Sequence, residues 1–111
     1  MFLKELQIDT GDNHPIKADL RWEEGKGKPL IIICHGFLGY KRWGFFPYVS
    51  EKLAESGFHV LTISFSMNGV DEETGAISEI ETFARNTISR EISDLRRVIE
   101  LSLIHISEPT R

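Results

Sequence analysis

Residues 29–39 read PLIIICHGFLG. Leu30 to Cys34 are apolar on both parities, and such a strand has to be covered on both faces, as in the middle of a parallel sheet flanked by helices. The run ends at His35, and two glycines, Gly36 and Gly39, follow within four residues. Glycines at a strand end let the backbone turn sharply and leave N–H groups that no ladder uses. In an open α/β sheet, ligands gather beyond the carboxyl ends of the strands. This turn is therefore the first place to look for chemistry.

On the N-terminal side, residues 2–9 put Phe2, Leu6 and Ile8 on one parity, which reads as a half-buried strand. A turn cluster follows at residues 11–15. Lys17 to Trp22 then alternates, with Ala18, Leu20 and Trp22 on one face and Lys17, Asp19 and Arg21 on the other. That period of two makes it the antiparallel partner of the first strand. The polar connection EEGKGKP (23–29) does not fit G-x-x-x-x-G-K-[ST] and is no phosphate loop.

On the C-terminal side, a helix is expected from Phe46 to Ser56, with Pro47 in its first turn, Phe46, Val49 and Leu53 on one face, and Gly57 as its stop. HVLTISF (59–65) is a second apolar strand, and residues 66–78 form a polar loop. Ile80, Ala84, Ile88, Ile92, Leu95 and Ile99 then recur at helical spacing, predicting one long amphipathic helix. Two antiparallel strands followed by strand–helix–strand–helix define an α/β class with a mostly parallel sheet.

Bulk properties exclude several functions. The net charge of −4 carries no basic stripe, so no nucleic-acid partner is expected. The single cysteine, Cys34, permits neither an internal disulfide framework nor a zinc spacing, which makes a cytoplasmic location the expectation. The N-terminus has no apolar core of a signal peptide, and no run approaches a membrane span. Neither cofactor nor metal is expected, and nothing fixes an oligomeric state.

Together these features resemble the N-terminal half of an α/β-hydrolase, in the branch of dienelactone-hydrolase-like and serine-aminopeptidase-like esterases. The likeness covers residues 1–100. It is carried by the two leading strands, IIICHGFLG, the helix ending in ESGF, the strand HVLTISF and the helix FARNTISREISDLRRVIE. It implies an antiparallel strand pair followed by the β-α-β-α of a mostly parallel sheet. It also implies a serine hydrolase that cleaves a small-molecule ester, thioester or amide through an acyl-enzyme. In this family the loop after the third strand supplies one oxyanion N–H, and the other follows the nucleophile. By position the donor is the backbone N–H of Phe37, with Leu38 as the second candidate. His35, Gly36 and Gly39 would support the loop. His35 is not expected to be the base, because family triads take their histidine from a much later loop. Dehalogenases, cofactor-free peroxidases and carbon–carbon hydrolases share the fold and a similar loop, as would a non-catalytic member.

The rest of such a site is missing from the sequence. The family needs a serine on a G-x-S-x-G elbow, then an acid, then a histidine. No serine here has glycine two residues to each side; Ser64 and Ser66 lie in TISFSMNG. From Leu101 the chain reads LSLIHISEPTR, which resembles no part of a hydrolase. It matches throughout the translation of a transposase adaptor used in short-read sequencing libraries. Residues 101–111 are thus expected to be an adaptor-derived tail, with only the first one or two residues open to being native. Residues 1–100 form the N-terminal part of the hydrolase domain, and a chain lacking nucleophile, acid and base is expected to be inactive.

Other residues admit two readings. Cys34 beside His35 could be a nucleophile, but a small buried strand residue is the expectation. Tyr40, Lys41, Arg42 and Trp43 either line a pocket mouth and meet an anionic substrate, or form a solvated approach to the helix with one packed aromatic. Asp71, Glu72, Glu73, Glu79 and Glu81 could suggest a metal site or a carboxylate pair; acids before and within a helix's first turn more simply suit its macrodipole. His14 and His59 have no metal-ligand spacing.

Overall fold

The alternation in β2 (Ile16–Trp22) organises the sheet. In the computed structural model, which describes residues 1–24 and 29–102, β2 pairs antiparallel with β1 (Phe2–Ile8), Ile8 lying opposite Ile16 and Leu6 opposite Ala18. Its other edge pairs antiparallel with β4 (His59–Ser64), Leu20 opposite Leu61. β3 (Leu30–Cys34) joins β4 in parallel, with Ile32 beside Leu61, so the strand order is β1-β2-β4-β3. The parallel pair comes from the β3–α1–β4 crossover, as parallel neighbours require.

One face of this mixed sheet carries the core. Ile8, Ile16, Ala18, Leu20, Leu61, Ile63 and Phe65 are buried there against Val98. Removing a side chain such as Leu61 or Ile63 from water contributes about 1.5–3 kcal/mol. The other face packs on α1 (Phe46–Glu55), which buries Ser50 and Ala54 and joins Ser50 Oγ to Thr62 Oγ1 at 2.8 Å. Pro47 sits in the first turn of α1, and Gly57 follows it at φ 109°, a left-handed value open chiefly to glycine. The charged parity of β2 lies on this second face, where Lys17 is exposed but the other two members are not. Asp19 is 0% exposed and Arg21 is buried beside it.

The single long helix expected from residue 80 is two helices, α2 (Ile80–Arg85) and α3 (Ile88–Leu101). Asn86 and Thr87 are extended between them, and Thr87 Oγ1 accepts the Arg90 N–H at 3.0 Å as an N-cap. Apolar spacing alone could not reveal this, because a two-residue break leaves the steps of three and four intact. The phase also differs from expectation. Asp94 and Val98 are buried and Leu95 packs against the core as expected, while Ile80, Ile88, Ile92 and Ile99 are exposed.

Two further expectations meet the structure here. α3 runs through Leu101, and Ser102 Oγ donates to the Val98 carbonyl at 2.7 Å; the rest of the expected tail, and residues 25–28 of the polar connection, lie outside the described residues. Cys34 is exposed, contrary to the buried position expected of it. The reason is topological. Among the described residues β3 has β4 as its one strand neighbour, so Leu30 to Ile33 are only half-buried and the strand's last residue is uncovered.

Candidate functional site

Beyond Cys34 the chain enters the turn through a buried histidine. His35 Nδ1 donates to the Gly36 carbonyl at 2.8 Å, and Nε2 accepts the Phe65 N–H at 3.0 Å. Only a neutral imidazole with its proton on Nδ1 makes both bonds. Burial pushes its pKa below the ordinary 6.5, partly opposed by the Gly36 carbonyl and by the charges of Glu91 and Glu72. The ring also meets Phe65 edge-on, with centroids 5.0 Å apart. With both nitrogens engaged by backbone, this histidine holds two segments together.

The turn is closed by the Gly39 N–H donating to the Gly36 carbonyl at 3.0 Å. Leu38 has φ 63° and is the one non-glycine residue with positive φ among the described residues. Positive φ at the third position with negative φ at the second is the type II pattern, which usually takes glycine there. A leucine held left-handed costs about 1–3 kcal/mol, and such strain persists only where surroundings enforce it. Among the described residues the N–H groups of Phe37 and Leu38 have no acceptor. The Phe37 side chain is 83% exposed, although its ring tilts against Phe83 at 5.5 Å. The arrangement offers free backbone donors on a strained, braced turn, and such a turn can receive an anionic oxygen.

The two glycines differ in what they do. A Cβ on Gly39 would lie 2.8 Å from His35 Cβ and 3.1 Å from the Gly36 carbonyl oxygen, so this position requires glycine. A Cβ on Gly36 would meet nothing within 4 Å, and its φ is not left-handed.

The exit from the turn keeps part of the second sequence reading, exposed at Arg42 and Trp43, and departs from it at Lys41. Lys41 is buried; its N–H donates to Ser64 Oγ at 2.7 Å, and its Nζ lies 3.1 Å from Asp19 and 3.2 Å from Glu72. Arg42 Nε donates to Asp19 at 2.8 Å, and its Nη2 lies 3.3 Å from Glu5. Burial pushes the Asp19 carboxyl up, but hydrogen bonds from Arg42 and Lys41 more than reverse this and hold it below its ordinary value. Both cations are thus already paired with carboxylates, Lys41 in a buried site and Arg42 at the surface with its side chain 39% exposed. Trp43 is partly exposed and packs edge-on against Phe46 at 5.7 Å. Glu72 is no helix-dipole acid, since it belongs to a turn in which the Gly75 N–H donates to Asp71 O, with Glu73 alongside. Glu81 lies in the first turn of α2, and Glu79 occupies its N-cap position without a capping side-chain bond. No group of three metal-binding side chains exists among the described residues. His14 lies in the turn between β1 and β2, and His59 opens β4, stacked on Trp22.

Two recesses flank the turn region. One of about 440 Å³ opens beyond the end of β4, bounded by His14, Lys17, Ser64, Asn68, Glu72 and Thr82. A more apolar one of about 330 Å³ is bounded by Phe37, Phe83, Ala84, Ile88 and Glu91. No helix among the described residues is long and apolar enough to cross a membrane.

This architecture is the N-terminal half of an α/β-hydrolase fold. It is similar to Est1E from Butyrivibrio proteoclasticus, with a TM-score of 0.65 and 21% identity over 89% of this chain and 34% of that one. It is likewise similar to dienelactone hydrolase from Anabaena variabilis ATCC 29413, with a TM-score of 0.69 and 20% identity over 94% of this chain and 45% of that one. The chain thus spans less than half the length of either structure. No family model and no curated protein matches the sequence.

Proposed function

We propose that this chain is the N-terminal part of a cytoplasmic serine hydrolase that cleaves an ester, thioester or amide through an acyl-enzyme. The observation that carries the reading is the turn at residues 36–39, which leaves the Phe37 and Leu38 N–H groups free at the carboxyl end of β3. Attack by a serine on a carbonyl carbon drives charge onto the carbonyl oxygen, and a preorganised N–H acts where that charge develops. One such donor lowers the barrier by about 3–4 kcal/mol. Phe37 supplies this donor, with Leu38 in reserve. His35 holds the turn against Phe65 and is not the base. The serine on its G-x-S-x-G elbow, the acid and the catalytic histidine would be encoded beyond Glu100, and residues 101–111 are the adaptor-derived tail. The similarity to a dienelactone hydrolase supports hydrolysis over the sister chemistries of the fold.

Sequencing the intact gene past codon 100 tests this directly. A G-x-S-x-G motif should begin within roughly 20 residues, because the family's long helix feeds the elbow strand. Aspartate at the elbow would point to a dehalogenase-type enzyme, and neither residue to a non-catalytic protein. Native sequence reading LSLIHISEPTR, or an early stop codon, would remove the tail assignment. In the full-length protein, a fluorophosphonate probe should label the serine. Phe37→Pro should then lower kcat by about 10²–10³ with little change in KM. Proline suits the second position of a type II turn, so this variant removes the N–H while keeping the turn, and Phe37→Ala controls for the lost ring.

A further inference from the structure

Three bonds run from the turn and its exit to the last residue of β4 and the segment that follows it, and they share no partner. The Phe65 N–H donates to His35 Nε2 at 3.0 Å, Asn68 Nδ2 donates to the Gly39 carbonyl at 3.3 Å, and the Lys41 N–H donates to Ser64 Oγ at 2.7 Å. The last is locked from behind. Ser64 Oγ donates its own proton to Glu72 at 2.6 Å, and Glu72 pairs with Lys41 Nζ, so backbone and side chain of Lys41 are gripped by one carboxylate–hydroxyl unit. Lys41 and Ser64 are buried, and Glu72 is partly buried.

We infer that Ser64 and Glu72 are positioning residues for the oxyanion turn, setting where the Phe37 N–H lies through their joint hold on Lys41. This rests on the oxyanion reading above. Buried ion pairs alone contribute little net stability against apolar replacements, so such a unit is not accounted for by stability. Its geometry matters more. Lys41 follows Gly39 by two residues, and Leu38 is held in a strained left-handed conformation that relaxes if either end is released. A donor displaced by about 1 Å loses much of its effect on a transition state, a cost on the order of 10²-fold.

The test uses the full-length protein with Ser64→Ala, Ser64→Thr and Glu72→Gln. Ser64→Ala removes the acceptor for the Lys41 N–H, Ser64→Thr restores it, and Glu72→Gln keeps a hydrogen-bonding group but removes the charge from Lys41. Two readouts are independent of activity: amide exchange at Gly39, and the nitrogen resonances of the His35 ring, which report its neutral Nδ1-protonated state. Ser64→Ala and Glu72→Gln should speed Gly39 exchange tenfold or more and shift the His35 signals, with the β2–β4 ladder amides unchanged and Ser64→Thr close to wild type. The same two variants should lower kcat 10- to 100-fold at nearly constant KM. Unchanged Gly39 and His35 signals would overturn the positioning role whatever the activity. Equal loosening of the β2–β4 ladder would also overturn it, marking a purely structural role. Absence of probe labelling and turnover in the wild type would instead remove the hydrolase reading, with the loop readouts still deciding whether Ser64 and Glu72 seat the turn.

Discussion

Asp19 and Arg42, 23 residues apart in sequence, are joined as a fork: Nε donates to Oδ2 at 2.8 Å and Nη2 to Oδ1 at 3.2 Å. The carboxylate belongs to β2 and the guanidinium to the segment leaving the turn at residues 36–39, so the pair ties the candidate site to the sheet. Asp19 also meets Lys41 at 3.1 Å and Arg21 at 3.9 Å. Arg21 Nε and Nη1 have no acceptor of their own, which leaves this carboxylate as the guanidinium's ion-pair partner among the described residues.

Replacing Asp19 should therefore cost far more than removing a surface charge. Asp19→Ala would strand Arg21 in a buried site and leave Lys41 with Glu72 alone, and breaking a buried pair from one side costs about 3–5 kcal/mol. Urea unfolding of the full-length protein measures this, and a loss below about 1 kcal/mol would mean that the network is as weak as surface pairs. The sign with pH is fixed by the depressed carboxyl. Because Asp19 titrates below its ordinary 3.8 when folded, its contribution is present above that pH and is lost as the pH falls beneath it.

His35 titrates in the opposite chemical sense with the same slope. Its folded pKa lies below the ordinary 6.5, so the unfolded chain binds a proton that the folded one refuses. Its contribution is complete above pH 6.5 and declines as the pH falls toward the folded value. A nitrogen-detected titration should find the ring charging only below pH 6.5, with the proton of its neutral form on Nδ1. His35→Ala should lower stability by about 1–3 kcal/mol, since the Phe65 N–H would be left buried without an acceptor. A ring that charges at or above pH 6.5, or a variant that shifts the pH profile of acylation, would make His35 a candidate base.

The two turn glycines give a paired contrast. Gly39→Ala places a methyl against His35 Cβ and the Gly36 carbonyl, and overpacking of this kind costs about 1–3 kcal/mol. Gly36→Ala meets open space and should change stability by less than about 0.5 kcal/mol. Thermal melts of the two full-length variants measure the difference. Equal losses would show that a segment outside the described residues packs on Gly36.

How much of this was legible in the sequence follows from which interactions are local. The strands, α1 and the turn could be read because their signals lie within a few residues: alternation in Lys17–Trp22, Pro47 and Gly57 around α1, and the glycines after His35. The break at Asn86–Thr87 was equally local, yet the apolar steps across it hid the Thr87 cap. The burial of Asp19 and Arg21 was not local at all. It depends on Lys41, Arg42 and α1, which reach β2 only through the crossover, so an alternating charged strand could not reveal its own cover. Cys34 went astray for a related reason, since an apolar run reports that a strand wants cover and not whether its neighbour is in place.

The 111-residue chain itself should fold poorly, and the surface of the α2–α3 arm gives the reason. Ile80, Ile88, Ile92 and Ile99 are 70%, 76%, 56% and 43% exposed, while β3 offers Leu30 to Ile33 half-covered at a sheet edge. Exposed apolar stripes and open strand edges both promote association. The purified chain should aggregate or melt broadly, bind a hydrophobic dye, and fail to react with a fluorophosphonate. Paired substitution separates this cause from general weakness. If the isoleucine stripe meets protein in the longer chain proposed above, Ile88→Glu with Ile92→Glu should make the short chain more soluble while destabilising the longer one. Each buried isoleucine so replaced would cost about 2 kcal/mol or more. A sharp unfolding transition from a soluble monomer of the short chain would refute the stability claim. Equal tolerance of the glutamates in both proteins would show that the stripe faces water in each.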